Sequence, residues 1–149
     1  MRAVVQRVSR AKVTVDDEVT GEIGRGLLVL LGITHNDDAA NADYLVDKII
    51  NLRIFDDAFG KMNLSLSETG GEMMIVSQFT LYGDTRRGRR PSFIDAASGD
   101  DALVWYEYFV AKARETIKKV TTGRFGAMMD VELVNDGPVT IILDTKNSI

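Results

Sequence analysis

The sequence predicts an α+β fold, a single domain in which a mainly antiparallel or mixed, barrel-like β-sheet accompanies two principal helices. Three observations predict it. The chain has 149 residues, 45% of them hydrophobic, which suits one ordinary core. No internal repeat and no Pro/Gly/Ser-rich linker divides residues 1–149, so they are expected to form one domain. Segments with strand-like patterns outnumber segments with helical spacing.

Strand patterns dominate the first part of the chain. Valine-rich segments at Ala3–Val8 and Lys12–Val15, followed by Val19–Ile23, predict antiparallel strands joined by turns. The apolar run Leu27–Leu31 is uninterrupted and lies between two glycines. It predicts a buried central strand.

Two segments carry helical spacing. Apolar residues that follow a capping pair, Asn36 and Asp37, predict a first helix that ends near Leu52. From Asp100 to Lys119 the apolar residues recur alternately three and four positions apart, and basic residues stand at the end of the segment. This spacing predicts a second helix over that whole range.

The remaining elements are shorter. Arg53–Phe55 predicts a brief strand, and Met73–Thr80 predicts a strand whose end becomes polar. Near the end of the chain, Val131–Val134 and Val139–Leu143 predict two strands, with a turn at Asn135–Pro138 between them.

The rarest residue types exclude several kinds of site. The chain has no cysteine and one histidine, His35, so no disulfide framework, zinc ribbon, iron–sulfur cluster or thiolate nucleophile is available. Any Ser–His–Asp triad would have to use His35. We therefore expect no metal and no cofactor. No signal peptide and no run of about 18 apolar residues is present, which predicts a cytoplasmic protein without a membrane span.

Positive charge is concentrated in one loop. Lys and Arg number 18 against 22 Asp and Glu, for a net charge of −4, so the overall charge does not indicate a nucleic-acid partner. Four guanidiniums that could bind phosphates lie in Arg86-Arg87-Gly88-Arg89-Arg90. The alternative is a solvated loop that pairs with Asp84 or Asp95.

The end of the Met73–Thr80 strand is a candidate site. Ser77, Gln78, Phe79 and Thr80 offer hydroxyls, an amide and backbone N–H groups that could position a carbonyl and stabilise an oxyanion. The alternative is that the two hydroxyls only satisfy the backbone at a strand end. A serine nucleophile would need His35 as its base, and a lone histidine in a polar loop is usually a surface residue.

The segment Asn135-Asp136-Gly137-Pro138-Val139-Thr140 is unusual for a turn between strands. Glycine tolerates any backbone conformation and proline removes a hydrogen-bond donor. A bond before proline is cis in only about 5–6% of folded cases, so the residues favour a trans turn. A cis bond here would point successive carbonyl oxygens in one direction, as a rigid wall of acceptors.

Seven segments of the chain are recognisable together: MRAVVQRVSRAKVTV, GLLVLLGI, NLRIFDD, GKMNLSL, SQFTLYGDTRRGRRPSF, TGRFGAMM and LVNDGPVT. In this order they resemble the D-aminoacyl-tRNA deacylase family of the bacterial D-Tyr-tRNA deacylase type, from Met1 to about Leu143. The resemblance implies a homodimer with active sites at the subunit interface. It also implies hydrolysis of the ester between a D-amino acid and the terminal adenosine of tRNA, with glycyl-tRNA accepted as well.

The resemblance implies how the substrate is selected. In the family the Gly-Pro pair, here Gly137 and Pro138, is cis and reaches from one subunit into the active site of the other. Its carbonyl oxygens would hold the α-amino group and leave no space for an L side chain. Arg7, Asn135 and Thr140 would support this pair.

The resemblance also implies the rest of the site. Ser77 to Thr80 would form the opposite wall, with backbone N–H groups near the ester carbonyl, and Phe125 and Met129 would line an adenine pocket. Met128 and Gly83 stand where the family often has Asp and Ala.

The implied mechanism places the ester and a water molecule, and the 2′-hydroxyl of the terminal ribose assists. A competing mechanism makes Thr80 a nucleophile, but the sequence shows no evident base for it. Two other functions stay open: a non-catalytic RNA-binding module that uses the arginine loop, and a small-molecule hydrolase that uses His35.

Overall fold

The computed structural model describes residues 1–146. In chain order the elements are β1 (Arg2–Val15), β2 (Glu18–Ile23), β3 (Gly26–Gly32), α1 (Ala39–Asn51), β4 (Phe55–Asp56), β5 (Met62–Leu64), α2 (Leu66–Thr69), β6 (Glu72–Ser77), a 3₁₀ helix (Phe79–Tyr82), α3 (Gly99–Arg114), β7 (Val120–Thr122) and β8 (Asp130–Asp144).

One mixed sheet organises the fold. Its strand order is β2-β1-β3-β6-β7, and β8 pairs with β1 as well. Strand β1 is antiparallel to β2, β3 and β8, whereas β3, β6 and β7 are parallel to one another. The sheet curls until Gly21 of β2 packs against Thr121 and Thr122 of β7. The predicted α+β class with a barrel-like mixed sheet is thus confirmed.

The core has two parts, one on each face of the sheet. Leu27, Val29 and Leu31 of β3 belong to the larger part, which packs under α1 and α3. Leu28, between them, belongs to the smaller part inside the curled sheet. Because both faces of β3 are covered, its sequence shows an apolar run without alternation. The predicted buried central strand is confirmed.

Both predicted long helices are present, but their ends differ from the predicted ones. Helix α1 begins after Asp38, whose carboxylate accepts from the backbone N–H of Asn41 at 3.0 Å. Helix α3 ends at Arg114, so the prediction that it continues to Lys119 is wrong. The apolar period extends further because Ile117, just beyond the helix, is still buried in the core.

The prediction of two strands with a turn at Asn135–Pro138 is wrong, since β8 is one strand. Its residue Thr140 pairs with Gln6 and Asn135 pairs with Val8, so the four residues 136–139 of β8 stand against the single residue Arg7 of β1. The segment between them forms a bulge rather than a reversal. Both halves of β8 pair with β1 and not with each other, which the local residues do not show. Likewise, the two segments predicted at the start of the chain form the single strand β1.

Two further segments differ from the prediction. The strand predicted over Met73–Thr80 ends at Ser77, and Phe79–Tyr82 is a 3₁₀ helix. The short helix α2 was missed, although Ser65 caps it by accepting from the N–H of Glu68 at 3.3 Å. Within residues 1–146, no helix has the length and apolar character that a membrane crossing requires.

Candidate active site

A pocket of about 300 Å³ opens at the carboxyl end of β6. It lies where parallel strands leave the sheet, which is the usual position of ligand sites in such sheets. Strand ends, the start of α3 and the β7–β8 connection contribute its lining, which includes Ile33, Ser77, Phe79, Ala97, Ala102 and Phe125. Its size is at the lower end of the range of small-molecule pockets, about 300–1,000 Å³.

The 3₁₀ helix turns the chain away from β6. The N–H of Gln78 still donates to the carbonyl of Leu31 at 2.8 Å, as the last contact of the sheet. As the first residues of the helix, Phe79 and Thr80 have N–H groups that no carbonyl of that helix accepts. Two backbone donors therefore follow β6 directly, and Phe79, which carries the first of them, lines the pocket.

Sequence reasoning missed the residue that lets this helix approach, Gly32. A Cβ placed there would lie 3.1 Å from the Cβ of Leu81 and 3.2 Å from both the carbonyl of Gln78 and the ring of Tyr82. Such spacing is tighter than ordinary side chains allow. Gly32 is needed for this contact because it has no Cβ, a property that only the packed structure reveals.

Arg2 holds the other end of the 3₁₀ helix. Its guanidinium donates to the carbonyl of Leu81 at 2.7 Å, lies 4.7 Å from the centre of the Tyr82 ring, and pairs with Asp144 at 2.8 Å. Burial raises the pKa of the Tyr82 hydroxyl, which stays protonated. The position of the candidate donors is thus fixed from β1 and β8.

The side-chain hydroxyl of Thr80 has an amide as its partner. The amide of Gln78 donates to it at 2.5 Å. The imidazole of His35 is engaged elsewhere, since its Nε2 lies 2.7 Å from the carbonyl oxygen of Ile94. Within residues 1–146, Ser77 and Thr80 therefore lack the imidazole partner that a serine-type hydrolase requires.

Phe125 and Met129, both predicted for an adenine pocket, lie in different places. Phe125 lines the pocket, with its ring centre 5.5 Å from that of Tyr106. The sulfur of Met129 packs against Gly123, and the side chain joins the core inside the curled sheet. Met129 is not among the residues that line the pocket.

Arg7 anchors the bulge that contains Gly137 and Pro138. This buried guanidinium lies 3.0 Å from the carboxylate of Asp136 and 3.6 Å from that of Asp56, and it donates to the carbonyl of Ile54 at 2.6 Å. Opposite charges and a carbonyl satisfy it, as a buried cation requires.

Asn135 closes the bulge from the other side. Its amide donates to the carbonyls of Arg7 at 3.0 Å and Val139 at 3.1 Å. Thr140 follows, and its hydroxyl accepts from the amide of Gln6 at 3.3 Å. The Gly137–Pro138 bond is cis, and both residues are exposed.

The bulge does not reach the pocket of its own chain. Strands β1 and β3 lie between β8 and β6 in the sheet. Strand β8 is therefore three strand spacings, or about 14 Å, from β6. The bulge is also level with Gln6 to Val8, which pair with the start of β3, whereas Ser77 pairs with Leu31 at its end. The structure thus brings Ser77, Phe79 and Phe125 together, and leaves Gly137 and Pro138 apart from them.

One of the four arginines in the arginine loop pairs with a carboxylate of the same chain. Arg86 binds Asp84 through two hydrogen bonds of 2.9 and 2.8 Å, and these bonds lower the pKa of Asp84 to about 2. Arg87 and Arg90 line an open cleft of about 600 Å³, and Arg89 is exposed. Within residues 1–146, Arg87, Arg89 and Arg90 form no ion pair. The predicted pairing with Asp84 therefore holds for Arg86.

The fold and the pocket define a one-domain α+β protein with a strand-end site built from backbone donors and an aromatic ring. The model of one protein family, described as D-Tyr-tRNA(Tyr) deacylase, matches residues 4–144. The chain belongs to this family. Its membership confirms the recognition made from the sequence and the prediction of an enzyme, a hydrolase that acts on an ester bond.

Individual relatives agree with this assignment. The chain is 60% identical over 148 residues to a D-aminoacyl-tRNA deacylase of Clostridioides difficile strain 630, covering 99% of each. A solved structure, the c-Myc DNA Unwinding Element Binding Protein, superposes with a TM-score of 0.93 at 43% identity and covers 97% of this chain and 99% of that one. A protein of Bacillus subtilis strain 168, named an inactive D-aminoacyl-tRNA deacylase, is 61% identical over 131 residues, which cover 88% of this chain and 99% of the relative.

Proposed function

We propose that this protein hydrolyses the ester bond of D-aminoacyl-tRNA and leaves L-aminoacyl-tRNA intact, as a chirality-proofreading step in cytoplasmic translation. One observation carries the proposal. Phe125 lies in the same pocket as Ser77 and Phe79, so an aromatic ring and the strand-end backbone face one space.

The terminal adenosine of tRNA fits this space by its chemistry. Adenine would stack on the ring of Phe125 and contact the apolar side chains of Ile33 and Ala102. The aminoacyl ester would then extend toward the 3₁₀ helix. There the N–H groups of Phe79 and Thr80 would donate to the ester carbonyl, and to the oxyanion that forms from it.

Water is the nucleophile in the proposed reaction. Its oxygen bonds to the ester carbonyl carbon, the bond from that carbon to the ribose oxygen breaks, and the ribose oxygen takes a proton. The neighbouring 2′-hydroxyl of the substrate assists this proton transfer. Thr80 is a weak candidate for the nucleophile, because its partner is the Gln78 amide and an amide cannot act as a general base.

Gly137 and Pro138 would supply the chiral wall from a second copy of the chain. Arg7 and Asn135 hold them in an exposed position, and the pocket of the same chain lies about 14 Å away by strand spacing. In a homodimer, their carbonyl oxygens would accept from the substrate α-ammonium and block an L side chain. Glycyl-tRNA would pass, because glycine has no side chain to block.

The arginine loop would bind phosphates of the tRNA. Arg87, Arg89 and Arg90 are available for this role, whereas Arg86 is bound to Asp84. Phe93, just beyond the loop, packs edge-to-face on Phe79 with ring centres 5.2 Å apart. The loop is thereby held beside the mouth of the pocket, where the rest of the tRNA would emerge.

The test is to incubate the protein with D-Tyr-tRNA and with L-Tyr-tRNA and to follow the ester. Loss of the D ester alone is the expected result, and persistence of both esters refutes the proposal. The inactive Bacillus subtilis relative favours one alternative, a protein that binds tRNA without hydrolysing it. Salt-sensitive tRNA binding with both esters intact would establish that alternative.

A further inference from the structure

A second groove, of about 470 Å³, adjoins the active-site pocket. Phe125 lines both spaces, so its ring forms the boundary between them. We call this second space the α3 groove. The residues that define it are Leu103, Tyr106, Val110, Arg114, Arg124 and Phe125.

The floor of the α3 groove is apolar. Leu103, Val110 and the ring of Phe125 contribute to it. The hydroxyl of Tyr106 points into the protein and donates to the carbonyl of Ile75 at 2.8 Å, so Tyr106 presents its ring and not its hydroxyl. Burial raises the pKa of Tyr106 to about 12, which keeps this wall uncharged.

The rim of the α3 groove carries two available cations. Arg114 donates to the carbonyl of Val120 at 3.3 Å and, within residues 1–146, forms no ion pair. Arg124 lies 3.8 Å from Glu18 with both side chains at least half exposed, and such pairs contribute only about 0–1 kcal/mol. Glu107 is the one carboxylate in the lining described for this groove.

We propose that the α3 groove binds the nucleotide that precedes the terminal adenosine of tRNA. Its base lies on the floor beside Phe125, and the phosphate that links it to the adenosine lies near Arg114 and Arg124. This inference rests on the proposed function, because it requires adenosine in the adjoining pocket. An apolar floor with a cationic rim is the combination that binds single-stranded nucleic acid, and the shared ring of Phe125 gives the strand a continuous path.

The test compares three D-tyrosyl esters: those of adenosine, of the dinucleotide cytidylyl-adenosine, and of tRNA. The adenosine ester fills the pocket only, whereas the dinucleotide ester also reaches the α3 groove. We expect kcat/KM to be at least about tenfold higher for the dinucleotide ester than for the adenosine ester. In the Arg114→Ala/Arg124→Ala variant this preference should fall below about twofold, with kcat/KM for the adenosine ester unchanged.

Matched controls separate the groove from general charge effects. Arg10→Ala removes one exposed arginine that pairs with Glu132 outside both spaces, and it should leave the dinucleotide preference intact. Because Arg114 also bonds to Val120, the single variant Arg124→Ala serves as a second test that keeps this contact. It should lower the preference by a factor of about three or more at unchanged Tm.

The outcomes are distinct for the two proposals. Equal kcat/KM for the adenosine and dinucleotide esters, or an unchanged preference in both variants, overturns the α3 groove while the proposed function stands. Failure to hydrolyse any of the three D esters overturns the proposed function. In that case calorimetric titration with unesterified cytidylyl-adenosine and adenosine still decides the groove, since tighter binding of the dinucleotide must disappear in the variants.

Discussion

Gly137→Ala is the substitution that tests the chiral wall most directly. Within its own chain the added methyl has space: the nearest atom is Oδ1 of Asn135, 3.5 Å from the Cβ position. The backbone at Gly137 is outside the left-handed region that favours glycine. A change from glycine to alanine at such a position stabilises a fold by about 0.4–1 kcal/mol. We therefore expect Tm to stay constant or rise by a few degrees.

Activity should fall in this variant, although Tm does not. If Gly137 faces the substrate α-carbon in the partner subunit, the methyl enters a filled space. Overpacking by one such group costs about 1–3 kcal/mol, which corresponds to about a 5- to 150-fold loss in kcat/KM. The assay is steady-state hydrolysis of D-Tyr-tRNA and L-Tyr-tRNA by the variant and by the unaltered protein.

Gly24→Ala is the matched control. Gly24 is exposed, its backbone is also outside the left-handed region, and the atom nearest to its Cβ position is Oε2 of Glu72 at 4.0 Å. We expect the same small change in Tm as for Gly137→Ala, since the two backbone positions are alike, and no appreciable change in kcat/KM. Unchanged kcat/KM together with unchanged preference for the D ester in Gly137→Ala would refute the assigned role.

Mixed dimers test whether the wall comes from the partner. In a mixture of Gly137→Ala with Phe79→Ala, each heterodimer has one site with an intact pocket and an intact wall. Equal mixing should restore about a quarter of the unaltered activity, because half of the dimers are mixed and each has one working site. Activity no greater than the average of the two parent variants would show that pocket and wall belong to the same chain.

Three other substitutions test separate parts of the reasoning. His35→Ala should keep kcat/KM within about threefold, since the proposed reaction uses no imidazole, and a loss above about tenfold at unchanged Tm would favour the His35 hydrolase. Arg87→Ala/Arg89→Ala should make the negative slope of log K against log salt for tRNA binding shallower by about 2, whereas the charge-matched Arg10→Ala/Lys12→Ala pair should leave it unchanged. The same slope in both double variants would show that the arginine loop is a solvated surface that does not bind tRNA phosphates. Gly26→Ala should destabilise the fold by about 4 kcal/mol and lower Tm by about 10 °C, because its Cβ would overlap the backbone of Glu72; a Tm within 2 °C would contradict the β3–β6 pairing.

Local patterns predicted those elements whose burial follows from their own residues. Leu27–Leu31 is a strand covered on both faces, and the segment before Leu52 is a helix with one buried face. The pairing of β8 depends on partner residues that lie 116 to 142 positions away in the chain. At short range the Gly137–Pro138 step is typical of a turn. Only the register with β1 shows that the strand continues through it.

The same distinction applies to the residues of the candidate site. Ser77, Phe79 and Phe125 carry recognisable motifs, and the structure brings them to one pocket. Gly32 and Asp56 also lie in recognisable segments, but the sequence assigned neither of them a role in the site. Their importance comes from what packs on them: the 3₁₀ helix on Gly32, and the guanidinium of Arg7 against Asp56. The position of Met129 likewise depends on the fit of its sulfur over Gly123.

The absence of cysteine and the single histidine bear directly on the proposed mechanism. A reaction that uses amide donors, water and a hydroxyl of the substrate requires neither a thiolate nor an imidazole, so these counts suit it. Such a site depends on how the backbone is held. Gly32 admits the 3₁₀ helix, and Arg7 and Asn135 hold the bulge. Substitutions of these three residues should therefore reduce activity as strongly as changes in the pocket, although none of the three is expected to touch the ester.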